Sequence, residues 1–136
     1  MKYLVLGSSG QVGNALVKYL RKKGKEVITF DIADKPEQDL RIKDILNDLI
    51  VDVDFVFFLA FDVGGSKYLK KNQLSYSFLH NNILLQAHTF EVLKSYNKKF
   101  IYASSQMSNM GFSPYGICKS VGELYTKTLG GITVKF

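Results

Sequence analysis

Short apolar runs alternate along this chain with longer segments whose apolar residues recur at helical spacing. Strands are predicted at residues 2–6, 26–30, near 39–40, 55–60, 100–104 and 132–136, and helices at 11–22, 42–49, 74–96 and 115–129. Strands that alternate with helices indicate β-α-β units, so the pattern predicts an α/β fold built on a parallel sheet. The nearly continuous apolar run at 55–60 is typical of a strand buried on both faces.

Glycines recur every third residue, at Gly7, Gly10 and Gly13, where the first predicted strand gives way to the first helix. Glycine allows the tight turn and the close backbone approach that a pyrophosphate needs, and the following helix presents free N–H groups to it. The hydroxyls of Ser8 and Ser9 are further donors. The alternative is a glycine-rich turn without a ligand, but its position between strand and helix favours nucleotide binding.

An acidic residue, Asp31, directly follows the second predicted strand, 18 residues after Gly13. A carboxylate at this place can accept hydrogen bonds from the ribose hydroxyls of an adenosine, and it would repel a 2′-phosphate. Asp31 therefore favours NAD over NADP as the ligand of the glycine turn. An aspartate in this position can also serve as an ordinary loop or capping residue.

Tyr115 and Lys119 lie four residues apart in a predicted helix, so their side chains share one face. A phenol has an unperturbed pKa of about 10, and an adjacent ammonium favours the phenolate. We therefore expect Lys119 to lower the pKa of Tyr115 and to make the phenol useful as a general acid or base. Ser105 lies ten residues before the tyrosine, directly after the predicted strand at 100–104.

Composition and charge narrow the functional classes. The chain has 136 residues, 46% apolar and 22% charged, which is typical of one globular domain. Its net charge of +6 comes largely from small basic clusters near predicted helix ends, which we interpret as solvated surfaces rather than a nucleic-acid site. A single cysteine, Cys118, excludes an internal disulfide, and two histidines are too few to indicate a metal site. The apolar runs suit neither a signal peptide nor a bilayer span, so we expect a cytoplasmic protein without a membrane partner.

With these residues in place, the chain resembles the N-terminal half of an extended short-chain dehydrogenase/reductase, the class that contains NAD-dependent sugar-nucleotide epimerases and dehydratases. The motifs that carry the resemblance are the glycine spacing, Asp39-Leu40-Arg41, Leu59-Ala60, Asn82-Ile83, Tyr102-Ala103-Ser104-Ser105, Ser113-Pro114-Tyr115-Gly116 with Lys119, and Gly122-Glu123. Val63-Gly64-Gly65 resembles a loop of GDP-sugar epimerases and reductases. The resemblance implies a Rossmann-type, doubly wound parallel sheet of about six strands.

The resemblance also implies roles for individual residues. Ser105, Tyr115 and Lys119 would be catalytic, with Lys119 also holding the nicotinamide ribose of NAD, the implied cofactor. Asp39 would contact the adenine, where the alternative is that it caps the second helix. The implied cofactor-binding residues are Gly7, Ser9, Gly10, Gln11, Val12, Gly13, Asp31, Asp39, Leu40, Leu59, Ala60, Asn82, Tyr115 and Lys119.

The function implied by the resemblance is that of an NAD-dependent sugar-nucleotide epimerase or dehydratase, with hydride transfer at a sugar carbon and Tyr115 as acid or base. Two alternatives stay open, an NAD(P)-dependent keto-deoxysugar reductase, whose turn is similar to Gly10-Gln11-Val12-Gly13, and a non-catalytic NAD-binding module. A homodimer through the helices at 74–96 and 115–129 is also implied. Members of the class are considerably longer, so we expect residues 1–136 to be the NAD-binding domain of an N-terminal fragment, without the substrate domain.

Overall fold

Five parallel strands form the sheet in the computed structural model, which describes residues 1–62, 74–109 and 113–136. The strands are β1 (Lys2–Leu6), β2 (Glu26–Phe30), β3 (Phe55–Phe58), β4 (Lys99–Ser104) and β5 (Ile132–Lys135). The helices are α1 (Gln11–Lys22), α2 (Asn47–Ile50), α3 (Tyr76–Ser95) and α4 (Pro114–Thr128), with a 3₁₀ turn at Gln106–Asn109. The spatial order β2-β1-β3-β4-β5 reverses direction between β1 and β3, where open α/β sheets bind ligands. The predicted Rossmann-type parallel sheet is confirmed.

The sheet separates two apolar clusters because successive side chains of a strand point to opposite faces. Val5 of β1 packs with Val17 and Leu20 of α1 on one face. Leu4 and Leu6 face the other side, where the larger cluster gathers side chains from β3, β4 and α3. The members of the larger cluster from these three elements are Val56, Phe58, Phe100, Tyr102, Leu85, Phe90, Val92 and Leu93. The site therefore rests on strands that are packed on both faces.

The predicted bounds of β1, α1 and β2 are confirmed residue for residue. The strand predicted at 55–60 ends at Phe58, and the remaining strands and long helices agree with their predictions to within two residues.

None of the helices within the described ranges is long and apolar enough to cross a bilayer.

The predicted third strand near 39–40 and the predicted helix at 42–49 are wrong. No strand forms at 39–40, so the sheet has five strands rather than six among the residues that the structure describes. The segment after β2 turns on Asp31, whose backbone carbonyl accepts from the N–H groups of Asp34 and Lys35. Helical structure begins only at Asn47, because Asp44 has a φ of 64°, which a right-handed helix does not allow.

Candidate functional site

A cleft of about 860 Å³ opens at the carboxyl ends of β1, β3 and β4. Its walls come from the glycine turn after β1, the segment after β2, the residues after β3 and the N-terminal half of α4. Of the residues predicted for the site, all but Gly13 and Asn82 line this cleft. The fold therefore brings the predicted cofactor residues and the predicted catalytic residues into one cavity.

The three glycines of the turn differ in what a side chain at each position would meet. Gly7 has a φ of 89°, and a Cβ on it would lie 2.7 Å from the backbone nitrogen of Ala60. A Cβ on Gly13 would collide with the carbonyl oxygen of Gly7, so Gly13 lets α1 pack against the turn. A Cβ on Gly10 would meet only ordinary contact, 3.5 Å from the same oxygen. The fold itself thus requires Gly7 and Gly13, whereas Gly10 keeps space in the cleft.

The start of α1 suits an anion. Gly10 is the N-cap residue and has no side chain with which to cap the helix. The first N–H groups of a helix lack intrahelical acceptors and carry the positive end of its dipole, so a phosphate is a favourable partner for them. The turn and the helix start therefore fit a pyrophosphate without any rearrangement of a side chain at position 10.

Asp31 is fixed beside the glycine turn by its own hydrogen bonds. Its Oδ2 accepts from the backbone N–H of Ser9 at 2.9 Å, and its Oδ1 accepts from that of Ala33 at 2.8 Å. The side-chain oxygen of Gln38 accepts from the backbone N–H of Asp31 at 2.9 Å. A carboxylate has about four acceptor positions, so these two contacts leave capacity for ribose hydroxyls in the cleft.

Asp39 forms a bidentate ion pair with Arg41. The Nε and Nη2 atoms of Arg41 donate to the two carboxylate oxygens at 2.9 and 2.8 Å, and its backbone N–H donates to Oδ1 at 2.9 Å. Hydrogen bonds from the Arg41 side chain hold the pKa of Asp39 below its usual range. The alternative that Asp39 caps a helix is wrong, because no helix starts there.

Lys119 is buried, with only 4% of its surface exposed. Its Nζ donates to the carbonyl oxygen of Ala103 at 2.9 Å and lies 4.1 Å from the ring centroid of Phe61. Burial lowers the pKa of Lys119 to about 8, because desolvation disfavours the ammonium. The lysine predicted to be catalytic is therefore held at the cleft wall in a dry environment.

Tyr115 differs from its prediction in the direction of its pKa. Burial raises the pKa of Tyr115, and a hydrogen bond with the side chain of Ser105 lowers it only in part. The Nζ of Lys119 lies 5.9 Å from the ring centroid of Tyr115 and donates instead to Ala103. The helical spacing does place Tyr115 and Lys119 together, but in this state desolvation outweighs the expected effect of the ammonium.

Asn82 lies behind the cleft rather than in its wall. It is fully buried, and its Oδ1 accepts from the backbone N–H of Asp62 at 2.8 Å. Its Nδ2 donates to the carbonyl oxygens of Phe78 and Asp62 at 2.9 and 3.2 Å. Asn82 thus fastens the segment after β3 to α3 and supports the wall that contains Ala60. The predicted Val63-Gly64-Gly65 loop lies outside the described residues.

Two residues at or beside the site received no role in the sequence analysis, although Glu123 was named there as part of the Gly122-Glu123 motif. Phe61 packs edge-on against the ring of Tyr115, at 5.3 Å between centroids, and covers Lys119, and no sequence pattern distinguishes it. Glu123 accepts a hydrogen bond from Ser104 Oγ at 3.0 Å. Its spacing of four residues from Lys119 could have indicated it, because that spacing places both on one helix face.

The buried ammonium of Lys119 gives a testable pH dependence. Its pKa is about 8 in the folded chain and about 10.4 in an unfolded chain, so the unfolded state binds more protons between these values. The contribution of Lys119 to the free energy of unfolding therefore rises as pH increases from 8 to about 10, by at most roughly 3 kcal/mol. We expect the unfolding free energy of the unaltered chain to rise relative to that of Lys119→Met over this range, because only the unaltered chain has this ammonium. Urea unfolding at several pH values measures it, and a constant difference would contradict it.

The chain is similar to known proteins in both sequence and fold. A family model described as "NAD dependent epimerase/dehydratase family" matches residues 3–131. The chain belongs to this family. Because the family is NAD-dependent, the predicted cofactor NAD is confirmed, and the glycine turn and Asp31 of this epimerase/dehydratase family member fit it.

Individual relatives of this epimerase/dehydratase family member are distant. GDP-mannose 3,5-epimerase 1 of Oryza sativa subsp. indica is 25% identical over 118 residues, which cover 77% of this chain and 31% of the relative. A UDP-galactose 4-epimerase structure has 21% identity and a TM-score of 0.82, with 99% of this chain and 55% of that chain covered. An NAD-bound short-chain dehydrogenase/reductase superfamily protein of Agrobacterium tumefaciens has 22% identity and a TM-score of 0.77, with 99% and 48% covered. The chain thus spans about half the length of these structures and 31% of the curated relative.

Proposed function

We propose that this chain binds NAD in the cleft and supplies the catalytic groups of a nucleotide-sugar epimerase or dehydratase. The observation that carries the proposal is the single cleft lined by both the glycine turn with Asp31 and the group of Ser105, Tyr115 and Lys119. A binding module without chemistry would not need a buried lysine beside a phenol that is hydrogen-bonded to a serine. The GDP-mannose and UDP-galactose epimerases among the relatives support nucleotide sugars as the substrate class.

Each part of the dinucleotide would have its own place in the cleft. The start of α1 would hold the pyrophosphate, and Asp31 would accept hydrogen bonds from the adenosine ribose. Leu40 lines the cleft beyond Asp31, where with Asp39 it would contact the adenine. Lys119 and Tyr115 lie at the other end, beside β4, where the nicotinamide ribose and the sugar would meet.

The chemistry is then divided between cofactor and chain. NAD, when bound, supplies the acceptor for a hydride from a sugar carbon. Tyr115 takes the proton of the sugar hydroxyl and returns it, while Ser105 donates a hydrogen bond to the reacting oxygen. To act as a base near pH 7, a phenol with its ordinary pKa must gain about 4 kcal/mol in favour of its charged form, and Tyr115 must gain more because burial raises its pKa. The Ser105 hydrogen bond supplies part of this free energy, and the Lys119 ammonium, 5.9 Å from the ring centroid of Tyr115, would supply more.

A homodimer through α3 and α4 is part of the same proposal. The two helices pack against each other, and the ring of Tyr125 stacks on that of Phe90 at 4.7 Å between centroids. Large apolar side chains nonetheless stay exposed on both helices, including Tyr76 at 75% and Leu124 at 63%. A second copy that covers these side chains would remove them from water.

The proposal is tested by cofactor binding and by hydride transfer. We expect the chain to bind NAD more tightly than NADP in calorimetric titrations. The longest natural form of the protein should form NADH absorbance with one member of a panel of UDP-, GDP- and dTDP-sugars. A preference for NADPH, with activity only toward keto sugars, would instead establish the reductase alternative, and NAD binding without any transfer would establish the non-catalytic alternative.

Replacement of Asp31 tests the cofactor half in the chain itself. Asp31→Asn removes the charge that repels a 2′-phosphate and weakens the acceptors for the ribose hydroxyls. Since a hydrogen bond to a charged group contributes about 1.5–3 kcal/mol, we expect NAD affinity to fall about 10- to 100-fold while NADP affinity holds or rises. Asp34→Asn is the matched control, because Asp34 is exposed in the same segment and does not line the cleft. An equal fall in NAD affinity in both variants would count against the assignment.

A further inference from the structure

The carboxylate of Glu123 joins three elements at one end of the sheet. Its Oε2 accepts from Ser104 Oγ at the end of β4, at 3.0 Å, and its Oε1 pairs with the Nζ of Lys135 in β5 at 3.2 Å. Ser104 is 97% removed from solvent, since only 3% of its surface is exposed. Because a buried hydroxyl that loses its partner is costly, this contact fixes where β4 ends relative to α4.

The residue after Ser104 is Ser105, so the position of one determines that of the other. Ser105 Oγ accepts from the backbone N–H of Met107 at 3.1 Å, and the Ser105 side chain is hydrogen-bonded to Tyr115. On the opposite side, the backbone of Phe136 bonds to Ser104 and to Gln106, at 3.3 and 3.0 Å. The serine-bearing segment is thus held by β5 through the backbone and by α4 through one carboxylate.

Tyr115, Lys119 and Glu123 follow one another at intervals of four residues in α4. The helix therefore carries the phenol and the carboxylate on one face, about two turns apart. The phenol contacts Ser105 and the carboxylate contacts Ser104, so two adjacent residues of the strand end are bound to one rigid helix. This arrangement sets the distance between the serine and tyrosine hydroxyls.

We propose that Glu123 is a positioning residue that holds Ser104 and thereby keeps Ser105 within hydrogen-bond reach of Tyr115. The importance of this positioning for catalysis rests on the proposed function, but the contacts of Glu123 with Ser104 and of Ser105 with Tyr115 lie within this chain. Glu123 does not line the cleft, so its effect on the reacting groups would pass through Ser104 and Ser105. Its effect should consequently appear in the titration of Tyr115 rather than in NAD affinity.

The direction in which the pKa of Tyr115 changes distinguishes a positioning role of Glu123 from a purely electrostatic effect of its charge. Removal of a negative charge near a phenol lowers the pKa of the phenol, because the phenolate is then repelled less. Loss of the Ser105 hydrogen bond raises the pKa of Tyr115, because that bond favours the phenolate. Glu123→Ala should therefore raise the pKa of Tyr115 if Glu123 acts through position, and lower it if only its charge matters.

The experiment places a fluorinated tyrosine at position 115, whose lower intrinsic pKa brings the titration into a range where the chain stays folded, and follows it by ¹⁹F NMR. We expect Glu123→Ala and the neutral change Ser104→Ala each to raise this pKa by about one unit. The double variant should add little, because both changes break the same link. Lys135→Met, which leaves the Ser104–Glu123 contact in place, is the control and should shift it less than Ser104→Ala.

The outcomes are distinct. Unchanged or lowered values in folded Glu123→Ala and Ser104→Ala variants would overturn the proposal, as would additive shifts in the double variant. If Glu123→Ala fails to fold, Ser104→Ala alone decides, since it removes only a hydroxyl. Absence of NAD binding would overturn the proposed function without affecting these titrations, so the two failures are distinguishable.

Discussion

Tyr115→Phe is expected to lower turnover of the nucleotide sugar by about 10²- to 10⁴-fold, which is the usual contribution of general acid–base catalysis. The change removes the hydroxyl that is hydrogen-bonded to Ser105 but keeps the ring that packs against Phe61. NAD affinity should stay nearly unchanged, because the residues proposed to hold the pyrophosphate and the adenosine lie at the other end of the cleft. The measurement is steady-state turnover by the longest natural form of the protein, together with an NAD titration.

Tyr125→Phe is the matched control for this change. Tyr125 lies in the same helix, and its ring stacks on Phe90 outside the cleft. We expect this variant to keep both turnover and NAD affinity. Retained turnover in Tyr115→Phe, with the control unaffected, would remove Tyr115 from the mechanism and leave Lys119 as the acid–base candidate, since its pKa is about 8.

Gly13→Ala is expected to lower the stability of the fold, whereas Gly10→Ala is expected to lower NAD affinity. In Gly13→Ala the new Cβ collides with the backbone oxygen of Gly7, which cannot move aside as a flexible side chain can. We expect a loss of about 1–3 kcal/mol of stability from this overlap, despite the better helix propensity of alanine. Urea unfolding followed by circular dichroism measures it, and unchanged stability would show that the turn and α1 are less tightly packed than described.

In Gly10→Ala the chain has room for the methyl group, because only an ordinary contact of 3.5 Å is formed and the φ of −70° suits any residue. Stability should change by no more than about 1 kcal/mol, the usual effect at an N-cap. The methyl group would occupy the space that a pyrophosphate needs, so we expect NAD affinity to fall by about tenfold or more. Unchanged affinity in a stable Gly10→Ala chain would place the pyrophosphate elsewhere.

Local pattern was sufficient for much of the fold. The bounds of β1, α1 and β2 follow from the spacing of apolar residues and from Gly24, whose φ of 75° ends α1 in the way glycine allows. The segment after β2 was predicted less well, because its structure depends on individual turn contacts. The carbonyl of Asp31 and the positive φ of Asp44 interrupt patterns that otherwise resemble a strand and a helix.

By itself, the sequence identified most of the predicted residues that meet in the cleft, because parallel strands bring their carboxyl ends to one edge and glycine spacing marks the turn that follows β1. Only the tertiary structure decided how those residues behave. Lys119 lies against Phe61, and Ser104 is bound by Glu123, through contacts between residues far apart in the chain. Burial, which raises the pKa of Tyr115 and lowers that of Lys119, is a property of the packed site, and the four-residue spacing of the pair carries no information about it.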